Sequence, residues 1–108
     1  MIAIIDYGLG NTLAFSNIFK KLNISASICS HPDQFDGVKK IVLPGVGSFD
    51  WAINLLNNSG LRDLLDLLVL EQKVPVLGVC VGMQIMANGS EEGLGDGLGW
   101  IDAIGVVL

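Results

Sequence analysis

The sequence predicts an α/β fold, a parallel sheet with helices on both faces, and three observations predict it. Short continuous apolar runs alternate with segments whose apolar residues recur at helical spacing. Glycine-rich turns follow the runs. One apolar run, from Val74, passes directly into a Gly-x-Cys-x-Gly turn at Gly78-Val79-Cys80-Val81-Gly82. Four strands separated by helices imply right-handed crossovers, and in such sheets sites lie beyond the carboxyl ends of the strands.

Each element follows in turn. Ile2 to Ile5 is a buried first strand that ends in the turn Asp6-Tyr7-Gly8-Leu9-Gly10-Asn11. Asn11 or Thr12 can cap the next helix, in which Leu13, Phe15, Ile18, Phe19 and Leu22 share a stripe and Lys20 and Lys21 face water. Ser25 to Ser30 is a second strand, broken by Pro32-Asp33, and Lys40 to Leu43 a third, with Pro44-Gly45-Val46-Gly47-Ser48 as the loop above it. From Asp50 the pattern is helical, with a break at Asn57-Asn58-Ser59-Gly60 and a core stripe at Leu61, Leu64, Leu65 and Leu68. Val76 to Val79 is the fourth strand, Gly82 to Ala87 starts the fourth helix, and Asn88 to Gly99 reads as an acidic, glycine-rich surface loop. Gly105 to Leu108 resembles the start of a further strand with no helix to cover it, so the expectation is a chain truncated relative to the complete fold.

At 108 residues the chain is at most one domain. Its hydrophobic share is 51% before its 14 glycines are counted, against about 45–50% with glycine included in soluble domains. Apolar surface is therefore left over for a partner or a further segment. The net charge is -5 and the six Lys and Arg are scattered, so nucleic acid is an unsuitable ligand. An acid at Asp6 interrupts the apolar start with no basic region before it, and the run from Val74 to Met83 is half of the roughly 20 residues a membrane helix requires. The reading is a cytoplasmic protein with no membrane contact and reduced thiols at Cys29 and Cys80.

The chemistry concentrates at Cys80. A side chain on so sharp a strand-to-helix turn is held away from the sheet, and Gly78 and Gly82 leave space for an approaching substrate. The helix beginning after Cys80 directs unpaired N–H groups and partial positive charge at the sulfur, which favours thiolate. The plainer alternative is a small cysteine in a core. Gly8-Leu9-Gly10 fails as a dinucleotide fingerprint because the third glycine would fall at Leu13, and the Pro44 to Ser48 loop lacks the ending of a phosphate loop. That loop reads either as an anion pocket, in which backbone N–H groups converge on an oxyanion, or as a tight turn with no ligand. The turns at Asp6 to Asn11, Pro44 to Ser48 and Cys80 fall on one sheet edge and can share a pocket.

Five blocks, Tyr7 to Asn11, Leu43 to Phe49, Gly78 to Gln84, Ser90-Glu91-Glu92 and Gly97 to Ile101, together resemble the ordered blocks of class I (triad) glutamine amidotransferases, a flavodoxin-like family. Within it they are most similar to the glutaminase subunits of imidazole glycerol phosphate synthases. The resemblance runs through almost all of the chain but through only the first half of the family's domain, so residues 1–108 are expected to be the N-terminal part of one such domain.

The resemblance implies that Cys80 attacks the side-chain amide of glutamine, giving a glutamyl thioester and ammonia. It implies an oxyanion hole from the N–H groups of the Gly45-Val46-Gly47 turn and of Val81, and it implies that Gln84 and an acid of Ser90-Glu91-Glu92, Glu92 by preference, hold the glutamine's α-amino and carboxyl groups. Val81 stands where the family commonly has leucine, a mild departure because the role is a backbone one. No cofactor or metal is implied. The implied partner is a cyclase subunit of (β/α)8 barrel type in a heterodimer. The family's catalytic histidine and glutamate come from a His-Pro-Glu-like block that these residues do not contain. His31 matches no catalytic position, although its strand ends on the same edge as Cys80, and Cys29 reads as structural.

Two function classes stand at this point: a glutaminase subunit feeding a cyclase, and a non-catalytic fragment or remnant that keeps the binding and partner-contact features. A cysteine hydrolase or chaperone-like protein of the related elbow-bearing superfamily is a third, opposed by the oxyanion turn and Gln84.

Overall fold

The computed structural model describes residues 1–91 and 93–105. Strands β1 (Ile2–Ile5), β2 (Ala26–Cys29), β3 (Lys40–Leu43) and β4 (Val76–Gly78) form one sheet in the order β2-β1-β3-β4, and every neighbouring pair is parallel. The predicted α/β architecture is the observed one. Register places Ile4 between Ile28 and Val42, and Val42 beside Leu77. Because side chains alternate along a strand, Ala3, Ile5, Cys29, Ile41 and Leu43 share the opposite face. That second face carries the core: α2 (Phe49–Asn57) lays Phe49, Ala52, Ile53 and Leu56 against it at helical spacing, and Leu61, Leu65 and Leu68 follow from α3 (Arg62–Asp66) and the single π-helical turn Leu67–Glu71.

The first face is covered by α1 (Thr12–Lys21), whose cap Asn11 accepts a hydrogen bond from the Ala14 N–H at 3.1 Å. None of its residues is fully buried, and Leu13, Ile18 and Leu22 of the expected core stripe lie exposed. The helix packs chiefly on β2 and β1, so part of its stripe is left uncovered. Beyond it, Phe19, Ile2, Val42, Val76 and Leu77 line an open apolar hollow of about 350 Å³ over β3 and β4.

The largest departure from the sequence expectation follows Cys80. The fourth helix is not Gly82 to Ala87 but the single turn α4 (Val81–Gln84), and the segment read as a surface loop contains β5 (Ala87–Ser90), paired in parallel with β6 (Ile101–Gly105). The returning chain explains it. Leu98 donates its N–H to Ile85 O at 2.7 Å, Trp100 and Ile101 donate to Met86 O, and Gly99 donates to Ala87 O. These tertiary bonds take the carbonyls of Ile85, Met86 and Ala87, so the helix ends in a turn at Ile85-Met86 and the chain runs extended from Ala87, overriding local helix propensity. Of the expected strand from Gly105 to Leu108, Gly105 ends β6 and the remainder lies outside the described residues. Among the described residues no helix is long and apolar enough to cross a membrane.

Candidate active site

Cys80 stands just past β4 with φ 56° and ψ −127°, a conformation rare for a side-chain-bearing residue, and its side chain is exposed. The turn closes through Gly82 N–H to Val79 O at 3.0 Å and Met83 N–H to Cys80 O at 3.0 Å; the Val81 N–H takes no part in these bonds. Val79 N–H donates to Leu43 O at 3.0 Å, which carries the β3 pairing into the elbow.

The flanking glycines are required for a different reason from the one the sequence suggested. A Cβ on Gly78 would stand 2.6 Å from Met83 Cα and from Met86 Sδ, and one on Gly82 would run into the Leu43 carbonyl, 2.9 Å from the Pro44 carbonyl carbon. Protein backbone, not substrate space, occupies those positions. The glycines let α4 lie directly on the ends of β3 and β4. Because α4 is one turn long, the field of a full helix expected at the sulfur shrinks to that of a few peptide units.

The Pro44 to Ser48 loop sits on the elbow. A Cβ on Gly45 would be 2.8 Å from Gly82 N and 2.9 Å from Val81 Cγ1. Val46, Gly47 and Ser48 are exposed, Gly47 at φ +93° in open space, and Ser48 caps α2 by accepting the Trp51 N–H at 3.3 Å. Tyr7 locks the loop from the first turn: its hydroxyl donates to Pro44 O at 2.6 Å, and burial pushes this phenol up to about 12. Gly10 closes against Pro44, a Cβ there falling 2.8 Å from Pro44 Cβ. The three turns that sequence analysis placed on one edge are therefore in contact, at the carboxyl ends of β1, β3 and β4.

Other predicted residues distribute unevenly. Gln84 ends α4, half-buried, on the same turn as Cys80, and its N–H reaches Cys80 O at 3.4 Å. Glu92 lies outside the described residues. His31 is exposed beyond β2, and β2 and β4 are opposite edges of the sheet. Three strand spacings, roughly 14 Å, separate them, too far for the Cys–His pair the shared edge had left conceivable. Cys29 is buried, and its thiol, directed at Ser27 O and Gln34 O, is pushed up by burial.

Sequence reasoning missed Tyr7 as a strut and Asp50 as an anchor. The Asp50 carboxylate accepts the N–H groups of Leu94 at 3.0 Å and Gly95 at 3.1 Å, and these bonds hold it below the usual carboxylate range. An acid in the first turn of a helix is legible as such, but a partner 44 residues away is not.

Comparison with known proteins bears on the family and the fold. The glutamine amidotransferase class-I family profile matches residues 3–96. The imidazole glycerol phosphate synthase subunit HisH of Bdellovibrio bacteriovorus is 54% identical over 101 residues, covering 94% of this chain and 50% of that protein; the subunit of the same name from Leptospira borgpetersenii gives the same values. HisH 2 of Methanococcus maripaludis is 46% identical over 103 residues, covering 95% of this chain and 51% of that protein. A crystal structure of a glutamine amidotransferase superimposes with a TM-score of 0.68 at 20% identity, over 84% of this chain and 48% of that one, which speaks to the fold. The chain thus spans about half the length of the curated relatives it matches. With the family profile covering most of its length, this chain belongs to the class-I glutamine amidotransferases.

Proposed function

We propose that residues 1–108 are the first part of a single glutamine amidotransferase domain and supply the nucleophile, the oxyanion turn and part of the glutamine pocket of a glutaminase. The observation that carries this reading is the seating of Gly45 on Val81 and Gly82, beside an exposed Cys80 at φ 56°. The Cys80 sulfur attacks the side-chain carbonyl carbon of glutamine, forming a C–S bond and a tetrahedral oxyanion. N–H groups of the Gly45-Val46-Gly47 turn and of Val81 receive that oxygen, each such donor typically worth about 2.7–4 kcal/mol of barrier. The C–N bond then breaks, the nitrogen takes a proton and leaves as ammonia, and water hydrolyses the thioester to glutamate. Gln84 and Glu92 hold the α-amino and carboxyl groups. The ammonia passes to a cyclase subunit, a (β/α)8 barrel in a cytoplasmic heterodimer, that makes imidazole glycerol phosphate and AICAR in histidine biosynthesis; the relatives' names, which are those of an imidazole glycerol phosphate synthase subunit, support the synthase part of this assignment.

The second reading is a fragment that binds glutamine without turning it over by itself. The chain's single histidine stands at the far sheet edge, so these residues offer Cys80 no histidine base. General acid-base assistance is worth roughly 10²–10⁴-fold, and glutamate release by these residues alone is expected to fall short of a base-equipped glutaminase by about that factor. The deciding experiment uses a diazoketone analogue of glutamine, whose terminal carbon takes the thiol proton and alkylates sulfur with loss of N₂. Capture at Cys80, blocked by excess glutamine and abolished in Cys80→Ala, supports the glutamine site. Absence of capture, or capture at Cys29, overturns it.

A further inference from the structure

The segment that follows the Glu91-Glu92 pair is tied at its two ends, Gly93 N–H donating to Ser90 O at 3.3 Å and Gly97 N–H to Asn88 O at 2.8 Å, but among the described residues its tip makes no such bond to its own strand. Gly93-Leu94-Gly95-Asp96-Gly97 contains three glycines, which lose the most backbone freedom on ordering, and Leu94 is fully exposed, so apolar burial does not fix the tip. What meets it is the start of α2. Both carboxylate oxygens of Asp50 accept the Leu94 N–H, at 3.1 and 3.0 Å, and Oδ1 also accepts the Gly95 N–H at 3.1 Å. Gly93 closes so tightly over this helix start that a Cβ would lie 2.7 Å from Asp50 Oδ1 and 2.7 Å from Phe49 Cδ1. Phe49 is buried, Ser48 before it caps α2, and Ser48 is also the last residue of the loop that begins Pro44-Gly45. One short rigid stretch, Ser48–Asp50, therefore bears the loop over the elbow on one side and the acidic loop on the other.

We propose that Asp50 is a positioning residue for glutamine: its carboxylate, by gripping the Leu94 and Gly95 amides, anchors beside the oxyanion turn the stretch that directly follows the acids assigned above to the substrate's α-ammonium group. The inference rests on the glutaminase reading above. Backbone N–H donors suit a carboxylate, and those of Leu94 and Gly95 hold Asp50 below the usual carboxylate range. An uncharged Asn keeps the shape of Asp50 but gives up the charge assistance and one of the two acceptor oxygens.

The test compares the wild-type chain with Asp50→Asn, and with Asp50→Ser as a second variant in case the first packs differently. Amide hydrogen exchange at Leu94 and Gly95 is expected to accelerate in both variants, while amides of β1 and β3 keep their protection. The concentration of diazoketone analogue that half-saturates capture at Cys80 is expected to rise about tenfold, with the limiting capture rate and the iodoacetamide rate at Cys80 unchanged. A merely structural role would slow both reagents or neither. Unchanged half-saturation, with or without faster exchange, overturns the positioning role. A fall in the limiting rate alone overturns it too, because it would put Asp50 in the chemistry rather than in recognition. A wild-type chain that captures no analogue removes the glutaminase reading and the glutamine role together, whatever the exchange data say, and so is told apart from a failure of Asp50 alone.

Discussion

Cys80 combines an exposed sulfur with backbone angles that side-chain-bearing residues avoid, at a cost of about 1–3 kcal/mol held by the surrounding contacts. Glycine adopts such angles freely, so Cys80→Gly is expected to raise unfolding stability by about 1 kcal/mol in urea titrations, after allowance for the added freedom of the unfolded chain. Cys80→Ala, which keeps a Cβ, should leave stability within about 0.5 kcal/mol. A glycine variant no more stable than alanine would show that the turn is relaxed. Limited iodoacetamide treatment followed by peptide mass spectrometry is expected to label Cys80 well before Cys29, whose thiol is buried and pushed away from ionisation. At this scale the sequence was a good guide to Cys80, because two glycines around a cysteine after an apolar run restrict the local geometry. It was a poor guide to Tyr7 and Asp50, since nothing local to either residue names a partner 37 or 44 positions away.

The elbow as an element works through contacts between backbones. Gly82→Ala drives a methyl into the Leu43 carbonyl, where neither partner has a rotamer to yield, and is expected to destabilise by about 3 kcal/mol or more. Gly47→Ala meets open space and carries only the penalty of φ +93°, about 1–2 kcal/mol. Denaturation midpoints of the two variants check the ranking; equal losses would mean that the backbone conformation, not the close approach, governs the turn. Strand β4 and the break after α2 were legible because an apolar run and the Asn57-Asn58-Ser59-Gly60 cluster are local signals. The shortness of α4 was not. Ile85 and Met86 have helix-compatible side chains, and it is the amides of Leu98, Trp100 and Ile101, arriving from the returning chain, that take their carbonyls out of any helix.

Across the whole molecule, β1 lies inside the sheet, and Tyr7 at its end ties the first turn to the Pro44 loop after β3. The phenol's pKa is raised in the folded state, so its contribution is fully present below the unfolded value of about 10 and is lost as pH rises through about 12. Stability is expected to fall by up to about 2–3 kcal/mol across that window in the wild type and to stay flat in Tyr7→Phe, apart from the other groups that titrate in both. The chain has one tyrosine, so its phenolate absorbance can be followed without overlap, and an ordinary midpoint would remove Tyr7 from the alkaline transition. The alternation of strands and helices announced the parallel sheet, and an apolar share above that of soluble domains announced surplus hydrophobic surface, but its location needed the register that sets Val42 beside Leu77. That hollow beside Phe19 has a spectroscopic consequence. A dye that fluoresces in apolar surroundings is expected to bind the native chain, while the indole of Trp100, fixed by its hydrogen bond to Asp66 Oδ1 at 2.7 Å, keeps the near-ultraviolet dichroism of a packed protein. Dye fluorescence alone would then mistake an ordered sheet face for a molten core; Leu77→Lys should quench it with little change in the unfolding midpoint, and a signal that survives the substitution would mean the dye sits elsewhere.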